Sequence, residues 1–183
     1  MDKTDLVVSM VKILADNLWC PVTCKIWCLS NENDTLELVK KIEAAGCSIL
    51  TVHGRIKEHK KHFIGPANWE IIWKIKAELK IPVFANGGIR TMKDYEKCME
   101  LTGVDGVMTS EAILENAAFF NDVPVHLEDQ CLEYLTLAET YNEKLAVIKQ
   151  HVFKFLHTGL MVYPDFRKEI GETREIDKLK EIA

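Results

Sequence analysis

Apolar and polar positions alternate along this chain in two rhythms that take turns. Residues 5–18, LVVSMVKILADNLW, place apolar positions at helical spacing and predict an amphipathic helix. PVTCKIW (21–27) predicts a strand. NDTLELVKKIEAAG (33–46) predicts a helix with Asn33, Asp34 or Thr35 as cap and Gly46 as its stop. SILTVHG (48–54) predicts a strand, PANWEIIWKIKAELK (66–80) a helix with Pro66 near its start, and IPVFANGG (81–88) a strand. TMKDYEKCMELTG (91–103) predicts a helix capped by Thr91 and stopped by Gly103. VDGVMTS (104–110) predicts a strand, and SEAILENAAFF (110–120) a short helix. Four strand-then-helix units in a row imply parallel strands joined by helical crossovers, an α/β fold. Beyond about residue 122 the pattern is helical throughout, punctuated by Pro124 and Pro164, which sets a boundary near 121–127.

The strand ends carry the candidate chemistry. Ligands of parallel α/β folds gather at the carboxyl ends of the strands. Here those ends hold Lys25, His53-Gly54-Arg55, Asn86-Gly87-Gly88 and Thr109-Ser110-Glu111. Glycine lets a ligand approach the backbone, and a following helix N-terminus favours an anion. TIM barrels commonly place a phosphate site after their last two strands. Asn86–Gly88 with Ser110–Glu111 therefore suggests one phosphate held between two turns; a plain tight turn at Gly87-Gly88 is the other reading. Strand alternation puts Thr23, Lys25 and Trp27 on one face and Val22, Cys24, Ile26 and Cys28 on the other. On that reading the lysine points inward, where a cation needs an anionic or electron-rich partner. His53 reads either as a ligand contact or as a satisfied core histidine.

Composition narrows the classes. The 183 residues are 48% hydrophobic and 28% charged, enough for a sizeable core. No run approaches the roughly 18 apolar residues of a membrane helix. The polar start, Met1-Asp2-Lys3-Thr4-Asp5, is unlike a secretory signal and leads to the expectation of a cytoplasmic or nuclear location. A net charge of -5 excludes a uniformly basic nucleic-acid-binding surface; any such contact is local, as in RIKEHKKH (55–62). Six cysteines stand at 20, 24, 28, 47, 98 and 131 without a CxxC pair, so free thiols are the expectation and a metal site at Cys20, Cys24 and Cys28 the alternative.

One stretch is more specific than any of these signals: TVHGR, then GPANW, IPVFANGGI and TGVDGVM. It resembles the tRNA-dihydrouridine synthase family, whose pattern runs VHGR, GPA-W, IPV-ANG-I, TG-DGVM. PVTCKIW resembles that family's PVTVKIR strand, and HVFKFLHTGLMVYPDFRKEIG its C-terminal helices, which contact tRNA. TSEAILEN, where many bacterial members carry a glycine-arginine pair, resembles the eukaryotic branch acting on D-loop uridines. The resemblance implies that residues 1–122 are the C-terminal half of an FMN-binding TIM (β/α)8 barrel, about its last four βα units. Residues 123–183 would be a helical tRNA-binding segment.

That family reduces the C5–C6 bond of tRNA uridine to 5,6-dihydrouridine with NADPH, FMN and a cysteine that protonates C5. By resemblance Lys25 and His53 approach the flavin ring, and Asn86, Gly87, Gly88, Ser110 and Glu111 its phosphate. Arg55, Lys57, Lys60, Lys154 and Arg167 are candidate RNA contacts. No catalytic residue and no metal ligand is assigned, because the family's acid cysteine lies in the half this sequence does not resemble. Trp27 replaces a usual arginine, and Glu111 replaces a phosphate-pairing one, so only a backbone N–H at 111 suits an anion. The expectation is an oxidoreductase of this class, incomplete as an isolated chain, with tRNA as partner, another chain completing or covering the half barrel as a second candidate partner, and no membrane. A non-catalytic tRNA-binding fragment and another phosphate-binding TIM-barrel enzyme are the alternatives.

Overall fold

The computed structural model describes residues 3–57, 65–121 and 124–182. The chain forms two compact units, residues 1–109 and 110–183. In the first, α1 (Lys3–Asn17) precedes β1 (Val22–Cys28), α2 (Glu32–Ala44), β2 (Cys47–Ile56), α3 (Trp69–Glu78), β3 (Val83–Asn86), α4 (Met92–Thr102) and β4 (Gly106–Met108). The four strands are all parallel and lie in chain order, β1-β2-β3-β4. The helices touch one another in the same order, α1 to α2 to α3 to α4. Leu50, Val52, Val83 and Ala85, alternate residues of β2 and β3, have no exposed surface, so the helices cover that face. The other face exposes Thr23 and Lys25 of β1. The α/β class and the parallel units expected from the sequence are therefore observed.

Local chemistry sets the boundaries. Thr91 caps α4: its hydroxyl accepts from the Asp94 N–H while the Asp94 carboxylate accepts from the Thr91 N–H, a reciprocal capping box. Partial burial alone would raise the Asp94 pKa, but hydrogen bonds from the Thr91 hydroxyl and the Arg90 and Thr91 amides, with Lys97 nearby, outweigh it and hold the carboxyl below its ordinary value. Gly103 ends the helix at φ 64°, left-handed as its role as a stop requires. The cap of α2 differs from the expected three. Asn31 takes that place, accepting from the Asn33 and Asp34 amides, and Thr35 instead accepts from the Leu29 amide. α3 starts at Trp69 rather than near Pro66, because the Asn68 amide donates to the Gly54 carbonyl at 2.6 Å while its side chain caps the Ile71 amide. α1 buries only Val11, leaving Leu6, Met10, Ile13 and Leu14 exposed.

β4 is shorter than its sequence pattern because Asp105 serves as a clamp. Its Oδ2 accepts from the Val83 amide at 2.7 Å and from Lys76 Nζ at 2.6 Å, joining α3, β3 and the start of β4. The Lys76 hydrogen bond and then the Val83 amide lower its pKa. Its folded value lies below its unfolded one, so this stabilisation is present above about pH 3.9 and is lost as pH falls through the folded value. The carboxylate is 40% exposed, so solvent screening trims the ion pair. Asp105→Ala should cost about 1 kcal/mol at neutral pH. Urea midpoints of the two proteins should converge in acid.

The second unit is helical: α5 (Glu111–Glu115), a 3-10 turn (Phe119–Asn121), α6 (Leu127–Thr140), α7 (Leu145–Phe155), α8 (His157–Val162), α9 (Pro164–Glu172) and α10 (Ile176–Ile182). Its core gathers Cys131, Leu135, Ile148, Val152, Phe155, Ile170 and Leu179. The sequence pattern groups α5 with the repeating units. In the structure it packs on α7, and the following turn is tied to α6 by Gln130, whose carbonyl accepts from the Ala117 amide and whose amide donates to Asn116.

Candidate functional site

Strand register brings the singled-out residues of the first unit together. Trp27, His53, Asn86 and Met108 stand side by side across the four strands at their carboxyl ends. One row inward on the same face come Lys25, Thr51, Phe84 and Gly106. Along the described strands this face carries two cations, Lys25 and Arg55, and no carboxylate. Lys25 is exposed, whereas Thr51 and Asn86 are buried. The Asn86 side chain donates to the Met108 carbonyl at 2.7 Å, tying β3 to β4 where the glycine turn begins.

His53 is the best-fixed side chain here. The Trp27 ring stacks against its imidazole with centroids 3.8 Å apart and planes at 30°. Arg55 Nη1 lies 3.1 Å from His53 Nε2, and Arg55 Nε donates to the Gly65 carbonyl at 2.7 Å. Cys28 Sγ donates to the His53 carbonyl. The turn after β3 closes on this group: Gly87 and Gly88 have φ of 99° and 81°. A Cβ on Gly87 would lie 2.8 Å from the His53 ring and 3.2 Å from Arg55 Nη1. Trp69 Nε1 donates to the Gly87 carbonyl at 3.1 Å, holding the turn from α3. Sequence reasoning passed over Trp69 as a fixing residue and treated Trp27 only as a replacement; the signal was their spacing in the GPANW and PVTCKIW stretches.

Ser110 is the N-cap of α5 in the second unit, without a side-chain cap bond, and Glu111 is the first residue of that helix. Lys57 is exposed just after β2, and Lys60 falls outside the described residues. Lys154 is half-buried on α7, and Arg167 on α9 lies over the Phe153 ring, 5.5 Å from its centroid. All six cysteines are free thiols, and among the described residues no three metal-binding side chains cluster. Burial, helped by the neighbouring Cys47, raises the Cys24 pKa to about 11, and burial alone raises Cys28 to about 11. Both are protonated and weakly nucleophilic at neutral pH. Among the described residues no helix is long and apolar enough to cross a membrane.

The family model described as Dihydrouridine synthase (Dus) matches residues 1–176. The chain belongs to the dihydrouridine synthase family. A rat protein named tRNA-dihydrouridine(16/17) synthase, NAD(P)(+)-like, is 35% identical over 182 residues, covering 100% of this chain and 42% of its own length. The tRNA-dihydrouridine(16/17) synthase of Schizosaccharomyces pombe is likewise 35% identical, covering 92% of this chain and 46% of its own length. This dihydrouridine synthase family chain thus spans less than half the length of these curated relatives. Among solved structures, mandelate oxidase aligns with 53% of the chain and 36% of its own, at 21% identity and a TM-score of 0.41.

Proposed function

We propose that this chain supplies the flavin-holding part of a reductase that converts tRNA uridine to 5,6-dihydrouridine, with FMN as cofactor and NADPH as reductant. Its four strand–helix units are read as the last half of a (β/α)8 barrel, and tRNA is the substrate. Sequential parallel strands, one sheet face buried beneath the helices of the same unit and the family membership support that reading. The exposed apolar side of α1 supports a further segment or chain covering the barrel's other half. The observation that carries the proposal is the convergence of Lys25, His53 and the Asn86-Gly87-Gly88 turn at one end of one sheet face.

These residues suit a flavin. The turn stands at the carboxyl end of β3, where ligands of parallel sheets gather, and Lys25 offers a cation unmatched by any carboxylate on the described strands of its face. When bound, FMN supplies the hydride chemistry. Lys25 would stabilise negative charge at the ring's N1/O2 edge. Asn86 and Trp69 hold the turn, and Trp27 keeps His53 in place. The tRNA role rests on the relatives' names, with Lys57, Lys60, Lys154 and Arg167 as the candidate phosphate contacts.

Titrating the purified chain with FMN, followed by flavin absorbance and fluorescence quenching, tests the proposal. Binding should be saturable, and Lys25→Met should weaken it by about tenfold to a hundredfold, the range for a lost charge-assisted contact. Equal affinity in both proteins, or no uptake at all, would overturn the assignment.

A further inference from the structure

Arg55 was a candidate RNA contact by sequence, yet its guanidinium turns onto His53. A guanidinium has only donors, so in the 3.1 Å contact between Arg55 Nη1 and His53 Nε2 the imidazole nitrogen must accept. We infer that Arg55 is a positioning residue that holds His53 as the neutral tautomer with its proton on Nδ1. Three further observations fix the pair. Arg55 Nε is anchored on the Gly65 carbonyl at 2.7 Å, so the guanidinium is held at two points. Trp27 stacks on the ring and limits its rotation. A Cβ on Gly87 would collide with the His53 ring and crowd Arg55 Nη1, so the glycine turn leaves room for the Arg55–His53 bond.

The groups around the ring agree. The charged residues on the described strands of this face, Arg55 on β2 and Lys25 one row inward on β1, are both cations and oppose a second proton on His53. Trp27 from β1, Asn86 and Gly87 from β3 and its turn, and the Cys28 thiol on the His53 carbonyl bring no negative charge. The consequence, which rests on the flavin reading above, is a restriction of role. With its Nε2 lone pair engaged and its proton on the buried Nδ1, His53 has no basic nitrogen left. It neither accepts a proton from the substrate nor delivers one.

Nitrogen-15 spectra of the histidine rings in the intact chain test this, with His53→Gln assigning the resonance. Wild-type His53 should show a bare Nε2 and a protonated Nδ1 on both sides of pH 6.5, about the ordinary imidazole pKa. A scalar coupling across the hydrogen bond should join Arg55 Nη1 to His53 Nε2. Arg55→Met should move the ring toward the Nε2–H form that free imidazole favours. A protonated Nε2 in the wild type, no coupling, or an unchanged tautomer in a folded Arg55→Met protein would each overturn the inference. If Arg55→Met does not fold, the wild-type spectrum and coupling decide alone. FMN titration of the same samples separates the two proposals: an Nδ1–H ring without FMN uptake sinks the flavin reading only, and FMN uptake beside an Nε2–H ring sinks the role of Arg55 only.

Discussion

Gly87→Ala is expected to destabilise the first unit by about 3 kcal/mol, read as a lower urea midpoint of tryptophan fluorescence. All four tryptophans, 19, 27, 69 and 73, lie within residues 1–109, so this signal reports that unit. Two costs combine. At φ 99° any Cβ strains the backbone. The same Cβ would stand 2.8 Å from the His53 ring, which cannot withdraw because Trp27 stacks against it. Gly103→Ala separates the two: φ there is 64° and a Cβ meets nothing within 4 Å, so only the backbone cost of about 1 kcal/mol applies. Equal losses in the two variants would show that the contact with His53 is not tight. FMN affinity should fall with Gly87→Ala and stay unchanged with Gly103→Ala.

Leu50→Ala should cost about 3 kcal/mol in the same assay. Leu50 has no exposed surface and lies between Cys24 on β1 and Val83 on β3, beneath the helical layer. Its removal leaves a cavity that two flanking strands cannot fill, because the register of both is fixed by backbone pairing along their length. Thr23→Ala, at an exposed position on the opposite face, should change the midpoint by less than about 0.5 kcal/mol. A similar loss at both positions would contradict the one-sided burial of the sheet.

The strand–helix order was legible because each element announces itself locally. Thr91 with Asp94 three residues on, and Gly103 a turn past the last apolar position, mark α4 from sequence alone, and the structure uses both. Errors arose where a distant group decided. Asn68 rather than Pro66 opens α3, since the Gly54 carbonyl on β2 holds its amide. Asp105 leaves β4 to clamp Val83 and Lys76, and no pattern within residues 104–110 reveals those partners. The face of β1 with Thr23 and Lys25 was predictable because alternation is local. The turning of Arg55 onto His53 was not, because a basic run such as RIKEHKKH looks alike whether its first residue faces water or a neighbouring ring. The grouping of Ser110 and Glu111 with the glycine turn rests on resemblance and on the usual place of phosphate sites, and chain order alone does not show that α5 packs on α7.

The chain-order arrangement of the strands also shapes how the sheet assembles. Strands that neighbour each other in this sheet are also consecutive in the chain, so none of these three pairings waits for a remote part of the chain. A newly made β2 can dock on β1 as soon as the intervening helix has emerged, and β3 and β4 follow by the same step. Parallel pairing over closures of about two dozen residues is slow beside hairpin formation but needs no long-range search. These four strands can therefore join during translation one crossover at a time.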